Sequence, residues 1–237
     1  MTMFKQALTY DDVLLAPQYS DIESRSEVSL ESSLGNNNNF ELPIIASPMD
    51  TVVEAEMARA LAELGALGVI HRYNSILEQK RMTWSVAHAL PNKPVAAAIA
   101  ITGDFMERAE ALYDSGATIL CVDVAHGHHI MMKDALKRLR RDLPDDVHIM
   151  AGNVATRKGY EDLADWGANS VRIGIGGGSI CSTRIQTGHG VPTFQSVLDC
   201  SESEYAGTIP IIADGGIKTS GDIVKALGAG ADFVMIG

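Results

Sequence analysis

Four similar segments recur along this chain of 237 residues and limit the folds open to it. Each segment has an amphipathic helical pattern, then a glycine suited to the left-handed position after a helix, then an apolar run typical of a strand. The four glycines are Gly65, Gly116, Gly167 and Gly230, which lie 51, 51 and 63 residues apart. One strand with its helix takes about 25 to 30 residues. Each interval therefore holds two such units, and the chain holds eight strands.

The eight predicted strands are continuous apolar runs, which are typical of parallel strands buried on both faces. Their cores are residues 43–46, 68–71, 95–101, 119–124, 148–153, 171–174, 209–213 and 232–236. We therefore predict a (β/α)₈ barrel, a TIM barrel, over residues 41–237, with residues 1–40 as an N-terminal extension that packs on it. The alternative is a doubly wound open sheet. It usually carries G-x-G-x-x-G, whereas Ser179 stands where the third glycine after Gly174 and Gly176 belongs.

A glycine-rich loop, residues 174–184, follows the sixth predicted strand and carries Cys181. Glycines let backbone N–H groups approach an anion, and a thiol gains reactivity from local positive potential. The loop therefore suggests a phosphorylated substrate held for attack by Cys181. The alternative is a glycine-rich turn with a buried cysteine, since free cysteines are often small core residues.

Polar residues and glycines follow the other predicted strands, where the working face of such a barrel lies. Glycine clusters after strands six, seven and eight indicate a phosphate site. No lysine ends a strand, which argues against a Schiff-base aldolase. Asp214 is a candidate ligand or the cap of its turn, and Asp123 is a candidate ligand or the partner of Arg72. We interpret three other groups as having no role in the chemistry: the polar loop residues His126, His128 and His129, the strand residue Cys121, and Cys200, which we expect to follow a helix.

Composition excludes several classes of function. The net charge of −11 leaves no basic face for nucleic acid, and the basic cluster at residues 137–141 is interpreted as a helix end. Neither an apolar signal core nor an 18-residue apolar run is present, so no membrane association and a cytoplasmic location are expected. Three irregularly spaced cysteines predict neither a disulfide framework nor a metal site.

Six ordered motifs together resemble the IMP dehydrogenase / GMP reductase family, over residues 8–237. They are LTYDDVLL at 8–15, SPMDTV at 47–52, DVAHGH at 123–128, AGNVAT at 151–156, GGGSICSTR at 176–184 and ADGGI at 213–217. The resemblance implies a (β/α)₈ barrel, a purine nucleotide monophosphate as substrate, NAD or NADPH as hydride carrier, and a homotetramer.

The resemblance also implies roles for individual residues. Cys181 attacks C2 of the purine, and Thr183 helps to position water or ammonia. The remaining matches are Ser179, Gly216 and Gly237 for the phosphate, Asp214 for a ribose hydroxyl, Ser47 and Met49 for the nucleotide wall, Asp123 and Asn153 for the nicotinamide side, and the carbonyls of Gly176, Gly178 and Cys181 for potassium.

Two chemistries belong to this family: oxidation of IMP to XMP with NAD and water, and reduction of GMP to IMP and ammonia with NADPH. SPM at 47–49, AGNVAT at 151–156 and DGGI at 214–217 favour the dehydrogenase. GADFVM at 230–235 favours the reductase, as does the short stretch 75–95, which leaves room for one helix and no nucleotide-sensing module. A catalytically silent nucleotide-binding subunit is a third alternative.

The sequence ends at Gly237, directly after the eighth predicted strand and before an eighth helix. The family's mobile flap, which carries the group that activates water, follows that strand. We therefore expect this segment alone to form the covalent adduct and transfer hydride, with at most a stoichiometric burst of NADH.

Overall fold

Eight parallel strands close into a barrel in a computed structural model, which describes residues 6–237. The strands are β1 (Ile44–Ala46), β2 (Leu67–Ile70), β3 (Ala96–Ile99), β4 (Ile119–Asp123), β5 (His148–Val154), β6 (Ser170–Ile173), β7 (Ile211–Asp214) and β8 (Phe233–Ile236). They are neighbours in chain order, and β8 closes the barrel against β1, with Val234 opposite Ile44. The predicted barrel and its eight strands are confirmed.

Helices surround the barrel, one after each of the first seven strands, with an extra short helix after β6. They are α1 (Ala55–Glu63), α2 (Ile76–Ala89), α3 (Phe105–Tyr113), α4 (Ile130–Asp142), α5 (Arg157–Asp165), α6 (Thr183–Thr187), α7 (Thr193–Ser201) and α8 (Ser220–Gly228). Local sequence sets their starts: Ser75 and Glu78 form a capping box on α2. Helix α6 was not predicted.

The glycines of the repeat occupy the positions that the pattern predicts. Gly65, Gly116, Gly167 and Gly230 have φ angles of 75°, 96°, 109° and 103°, in the left-handed region after a helix. One prediction is wrong: Cys200 does not follow a helix but lies buried within the last turn of α7.

The barrel interior is filled by inward-facing apolar side chains, and a hairpin of residues 32–33 and 39–40 covers its amino-terminal end. Phe40 of the hairpin contacts Phe233, with ring centroids 5.6 Å apart and perpendicular planes. The hydroxyl of Ser32 also donates to the carbonyl of Asp232. The hairpin and packed interior leave the carboxyl ends of the strands as the working face.

The start of the N-terminal segment contacts the barrel's helices and loops at residues 8–11, whereas residues 14–30 are exposed. Tyr10 packs edge-on against Phe194 of α7 at 5.7 Å, and Lys225 of α8 donates to its carbonyl at 2.8 Å. Leu14 and Tyr19 are 88% and 95% exposed. Residues 1–5 of the predicted extension lie outside the described residues. Among residues 6–237, no helix combines the length and the apolar character needed to cross a bilayer.

Candidate active site

A cavity of about 870 Å³ opens at the carboxyl ends of the strands, within the size range of small-molecule sites. It brings together nearly all of the predicted site residues: Ser47, Met49, Asp123, Asn153, Gly176, Gly178, Ser179, Cys181, Asp214, Gly216 and Gly237. Thr183 is not among the lining residues, but its hydroxyl lies 3.3 Å from Cys181 Sγ at the cavity wall. A second cavity of about 420 Å³ lies at the opposite end, near the ion pair between Glu41 and Lys93.

The loops after β6 and β7 pack backbone against backbone, and only glycine permits this approach. A Cβ on Gly174, whose φ is 144°, would overlap the carbonyl oxygen of Asp214. A Cβ on Gly215 would lie 2.8 Å from the amide nitrogen of Gly178, and one on Gly177 would lie 2.5 Å from the hydroxyl of Thr193. This part of the cavity wall therefore depends on glycine at these positions, because a side chain at any of them would force its surroundings apart.

Backbone N–H groups on these two loops are free to bind an anion. Those of Gly177, Gly178, Ser179, Gly215 and Gly216 donate to no acceptor within residues 6–237. Such clusters of unpaired N–H groups are anion-binding concavities.

The two basic side chains on this part of the wall are engaged elsewhere. Arg184 donates to the carbonyl of Val191 at 2.8 Å, and Lys218 pairs with Asp11 at 3.1 Å. Anion binding at these loops therefore falls mainly to the backbone.

Cys181 has the environment of a reactive thiol. Its Sγ lies 3.3 Å from the hydroxyl of Thr183, at the start of α6. Hydrogen bonds from the hydroxyl and backbone of Thr183, with the nearby charge of Arg184, lower the pKa of Cys181. Burial instead raises the pKa of Cys121 to about 11 and that of Cys200 to about 12. Cys181 is therefore the cysteine with the largest thiolate fraction at neutral pH.

A buried arginine joins two of the predicted carboxylates. Arg172, only 5% exposed, donates through Nη1 to Asp123 Oδ1 at 2.8 Å and through Nη2 to Asp214 Oδ2 at 2.9 Å. Arg72 is a weaker partner of Asp123, with its Nε 3.5 Å from Oδ2. Arg172 was not among the predicted site residues. One sign of its role is visible in the sequence, where a charged residue stands within the apolar run of β6. A buried charge needs a partner of opposite charge, so carboxylates are expected near it.

Asn153 completes this polar cluster. Its Nδ2 donates to Asp214 Oδ2 and to the carbonyl of Gly174, both at 2.7 Å, while its Oδ1 is buried and has no partner among residues 6–237. Asp214 therefore binds side chains across the barrel and does not cap its own turn. The orphaned Oδ1 is an acceptor suited to a ligand hydroxyl or amide.

The opposite wall is built where β8 meets the loop after β1. The amide of Ser47 donates to the carbonyl of Ile236 at 2.9 Å. A Cβ on Gly237 would lie 2.9 Å from Met49 Sδ and 3.9 Å from Ser47 Oγ, so these three predicted residues adjoin one another. Tyr10 also lines the cavity and was not predicted as a site residue; no periodic pattern marks it.

The histidines after β4 are polar loop residues in the structure, as interpreted from the sequence. His128 Nε2 lies 2.7 Å from Asp162 Oδ2, and His129 accepts from the amide of Met131 at the start of α4. Within the described residues, no group of three or more His, Cys, Asp or Glu side chains has the arrangement of a metal site.

Comparison with known proteins places the sequence in one family. A sequence model of the IMP dehydrogenase / GMP reductase domain matches residues 7–237. An inosine-5'-monophosphate dehydrogenase of Borreliella burgdorferi is 37% identical, over 98% of this chain and 69% of its own length. A GMP reductase of Buchnera aphidicola (subsp. Baizongia pistaciae) is 39% identical, over 97% of this chain and 67% of its own.

Alignment length does not separate the two activities. The inosine-5'-monophosphate dehydrogenase of Nitrosopumilus maritimus aligns over 356 positions, at 32% identity, covering 99% of this chain and 75% of its own length. The GMP reductase of Leishmania major aligns over 364 positions, also at 32%, covering 98% of this chain and 74% of its own. Both alignments exceed the 237 residues of this chain, so proteins of either name carry inserted sequence. The chain belongs to the IMP dehydrogenase / GMP reductase family of oxidoreductases.

Proposed function

We propose that this protein is an IMP dehydrogenase that oxidises IMP to XMP with NAD. The observation that carries the proposal is a cysteine of lowered pKa on a glycine loop that has unpaired N–H groups and lines the same cavity as Asp214. The loop is suited to a nucleotide phosphate, Asp214 to a ribose hydroxyl, and Cys181 to attack on the base. The motifs at 47–49, 151–156 and 214–217 favour the dehydrogenase over the reductase.

In the proposed reaction, the thiolate of Cys181 forms a bond to C2 of the purine. The hydrogen at C2 leaves with its electron pair as hydride, and the purine remains bound to sulfur as a thioimidate. Water then adds to C2, the C–S bond breaks, the thiolate is restored and a proton is released with XMP. Thr183, whose hydroxyl lies 3.3 Å from Sγ, stabilises the thiolate and positions this water.

The hydride acceptor is a nicotinamide cosubstrate, and the residues present fit one. NAD supplies an oxidised ring that takes two electrons and one proton as hydride. Asp123 and the orphaned Oδ1 of Asn153 are acceptors for the hydroxyl groups of its nicotinamide ribose or for the carboxamide N–H of its ring. Tyr73, 60% exposed at the cavity edge, is an aromatic face for a planar group.

Potassium is proposed as a structural cation of the glycine loop. The carbonyl oxygens of Gly176, Gly178 and Cys181 are the ligands that potassium prefers in proteins. The carbonyl of Gly178 already accepts from the amide of Cys181 at 3.1 Å, which leaves it a second lone pair. A cation there would hold the loop that carries the nucleophile.

GMP reduction with NADPH is the second candidate. GADFVM at 230–235 and the short stretch 75–95 favour it, and the Buchnera GMP reductase is 39% identical to this chain. A catalytically silent nucleotide-binding subunit is the third candidate, and the lowered pKa of Cys181 argues against it.

The deciding experiment measures NADH formation from IMP plus NAD and, separately, NADPH consumption with GMP. We expect NADH with IMP, in at most a stoichiometric burst from residues 1–237, and no NADPH oxidation with GMP. NADPH oxidation without NADH formation would make the protein a reductase. Binding of IMP without either reaction would support the silent subunit. The Cys181→Ala variant is the background control.

The phosphate contributes a large share of the binding energy in this proposal. We expect IMP to bind at least tenfold more tightly than inosine, a difference of about 1.4 kcal/mol. The reason is the set of free N–H groups on the loops after β6 and β7, in a protein of net charge −11. Calorimetric titration with IMP and with inosine measures the ratio of the two affinities. Equal affinities would contradict a phosphate site at these loops.

The oligomeric state and the cellular compartment of the protein are also proposed here. Exposed apolar side chains along residues 14–30, among them Leu14, Tyr19 and Ile22, support assembly into a homotetramer. Size-exclusion chromatography with light scattering tests the mass, and a monomer would contradict the assembly. Three free cysteines support a reducing, cytoplasmic compartment.

A further inference from the structure

Arg172 lies between the carboxylates assigned to the two halves of the proposed site. Asp214 serves the purine nucleotide and Asp123 serves the cosubstrate. Each accepts one hydrogen bond from a different nitrogen of the same guanidinium, at 2.8 and 2.9 Å. Because a guanidinium is planar and rigid, its fork fixes the two carboxylates relative to each other.

The bridge leaves each carboxylate with an oxygen for a ligand. Asp214 uses Oδ2 for both Arg172 and Asn153, while its Oδ1 accepts no hydrogen bond from the described residues. Asp123 uses Oδ1 for Arg172, and its Oδ2 has only the distant Nε of Arg72 at 3.5 Å. The orientation of each remaining oxygen therefore depends on the guanidinium.

Core stability does not account for this arginine. Burying a guanidinium costs several kcal/mol, and an apolar residue of similar volume often serves a core equally well or better. Here the Nε is also buried without a partner among residues 6–237, and Nη1 reaches Cys121 Sγ at 3.3 Å. The position of the Arg172 guanidinium between Asp123 and Asp214 instead suits a role in orienting these two carboxylates.

We propose that Arg172 is a positioning residue that couples nucleotide binding to cosubstrate binding through Asp214 and Asp123. The inference rests on the proposed function, because the two carboxylates take their ligands from it. If one carboxylate loses its charge, the guanidinium of Arg172 moves toward the other carboxylate. This movement changes the orientation of the oxygen that the second carboxylate offers to its ligand. A change on the cosubstrate side must then alter affinity on the nucleotide side.

The test measures IMP affinity, by calorimetry and without cosubstrate, in the wild type and in Asp123→Asn. If Asp123 acts only on the cosubstrate, the Asp123→Asn variant binds IMP with the wild-type affinity. The bridge predicts binding about fivefold weaker or more, in the range of typical coupling between sites. The matched control is Asp142→Asn, which removes a carboxylate paired with the exposed Arg141. We expect wild-type IMP affinity in that control.

Arg172→Lys supplies the second readout, because one ammonium cannot hold both carboxylates in a fork. In this background we expect Asp123→Asn to have no further effect on IMP affinity. An effect of the same size in both backgrounds would overturn the bridge, as would wild-type IMP affinity in folded Asp123→Asn. A wild-type protein that binds neither IMP nor GMP overturns the proposed function instead, and the coupling with it.

Discussion

Replacing Cys181 with alanine is expected to lower the rate of NADH formation from IMP and NAD, measured in the burst expected of residues 1–237, by a factor of about 10³ or more. The thiol forms the covalent bond in the proposed reaction, and neither of the other cysteines can replace it, since both are buried. Nucleotide binding should survive, because the phosphate and ribose contacts come from other loops. Initial rates and calorimetric titration of the same preparation separate the two effects.

The control for this variant is Cys200→Ala. Cys200 lies buried in α7, away from the cavity wall, so its loss should lower the stability while leaving the rate close to that of the wild type. A Cys181→Ala protein that keeps more than about a tenth of the wild-type rate would show that the thiol is not the nucleophile.

The second large effect is expected from Gly174→Ala. A methyl group there overlaps the carbonyl oxygen of Asp214, and φ of 144° is strained for any side chain. The loops after β6 and β7 must separate to admit it. We expect the free energy of unfolding to fall by about 3 kcal/mol or more. The affinity for IMP should fall too, because both loops carry the free N–H groups.

Gly207→Ala is the matched control, since Gly207 also has a positive φ, 84°, but its added methyl meets no atom within 4 Å. Its free energy of unfolding should fall only by the cost of placing an alanine in the left-handed backbone region, about 1 to 2 kcal/mol. Urea denaturation of both variants gives the two values. Equal losses would mean that the close approach of the two loops is not needed for stability.

The barrel was predictable from sequence because its signals are local. Continuous apolar runs mark strands buried on both faces, and a glycine such as Gly116 at φ 96° ends its helix wherever the chain goes next. The positions of the candidate site residues followed from one further rule, that the strands' carboxyl ends share a face.

What the sequence could not provide were contacts across the barrel. The Asp123–Arg172–Asp214 bridge joins residues 42 and 49 positions apart, and no periodicity encodes such a pairing. Helix α6 escaped prediction because its five residues are too short to show a helical period. The difference between dehydrogenase and reductase is finer still, since relatives of both names align with nearly the whole chain.

The most direct test of the central claim is the position of a covalent adduct. A 6-chloropurine ribonucleotide 5'-monophosphate carries an electrophilic ring, and thiolate attack displaces chloride to leave a thioether. We expect mass spectrometry to find one adduct per chain, on Cys181, with excess IMP slowing its formation. An adduct on Cys121 or Cys200, or labelling that IMP does not slow, would contradict the assignment of this cavity as the site where a purine nucleotide meets its nucleophile.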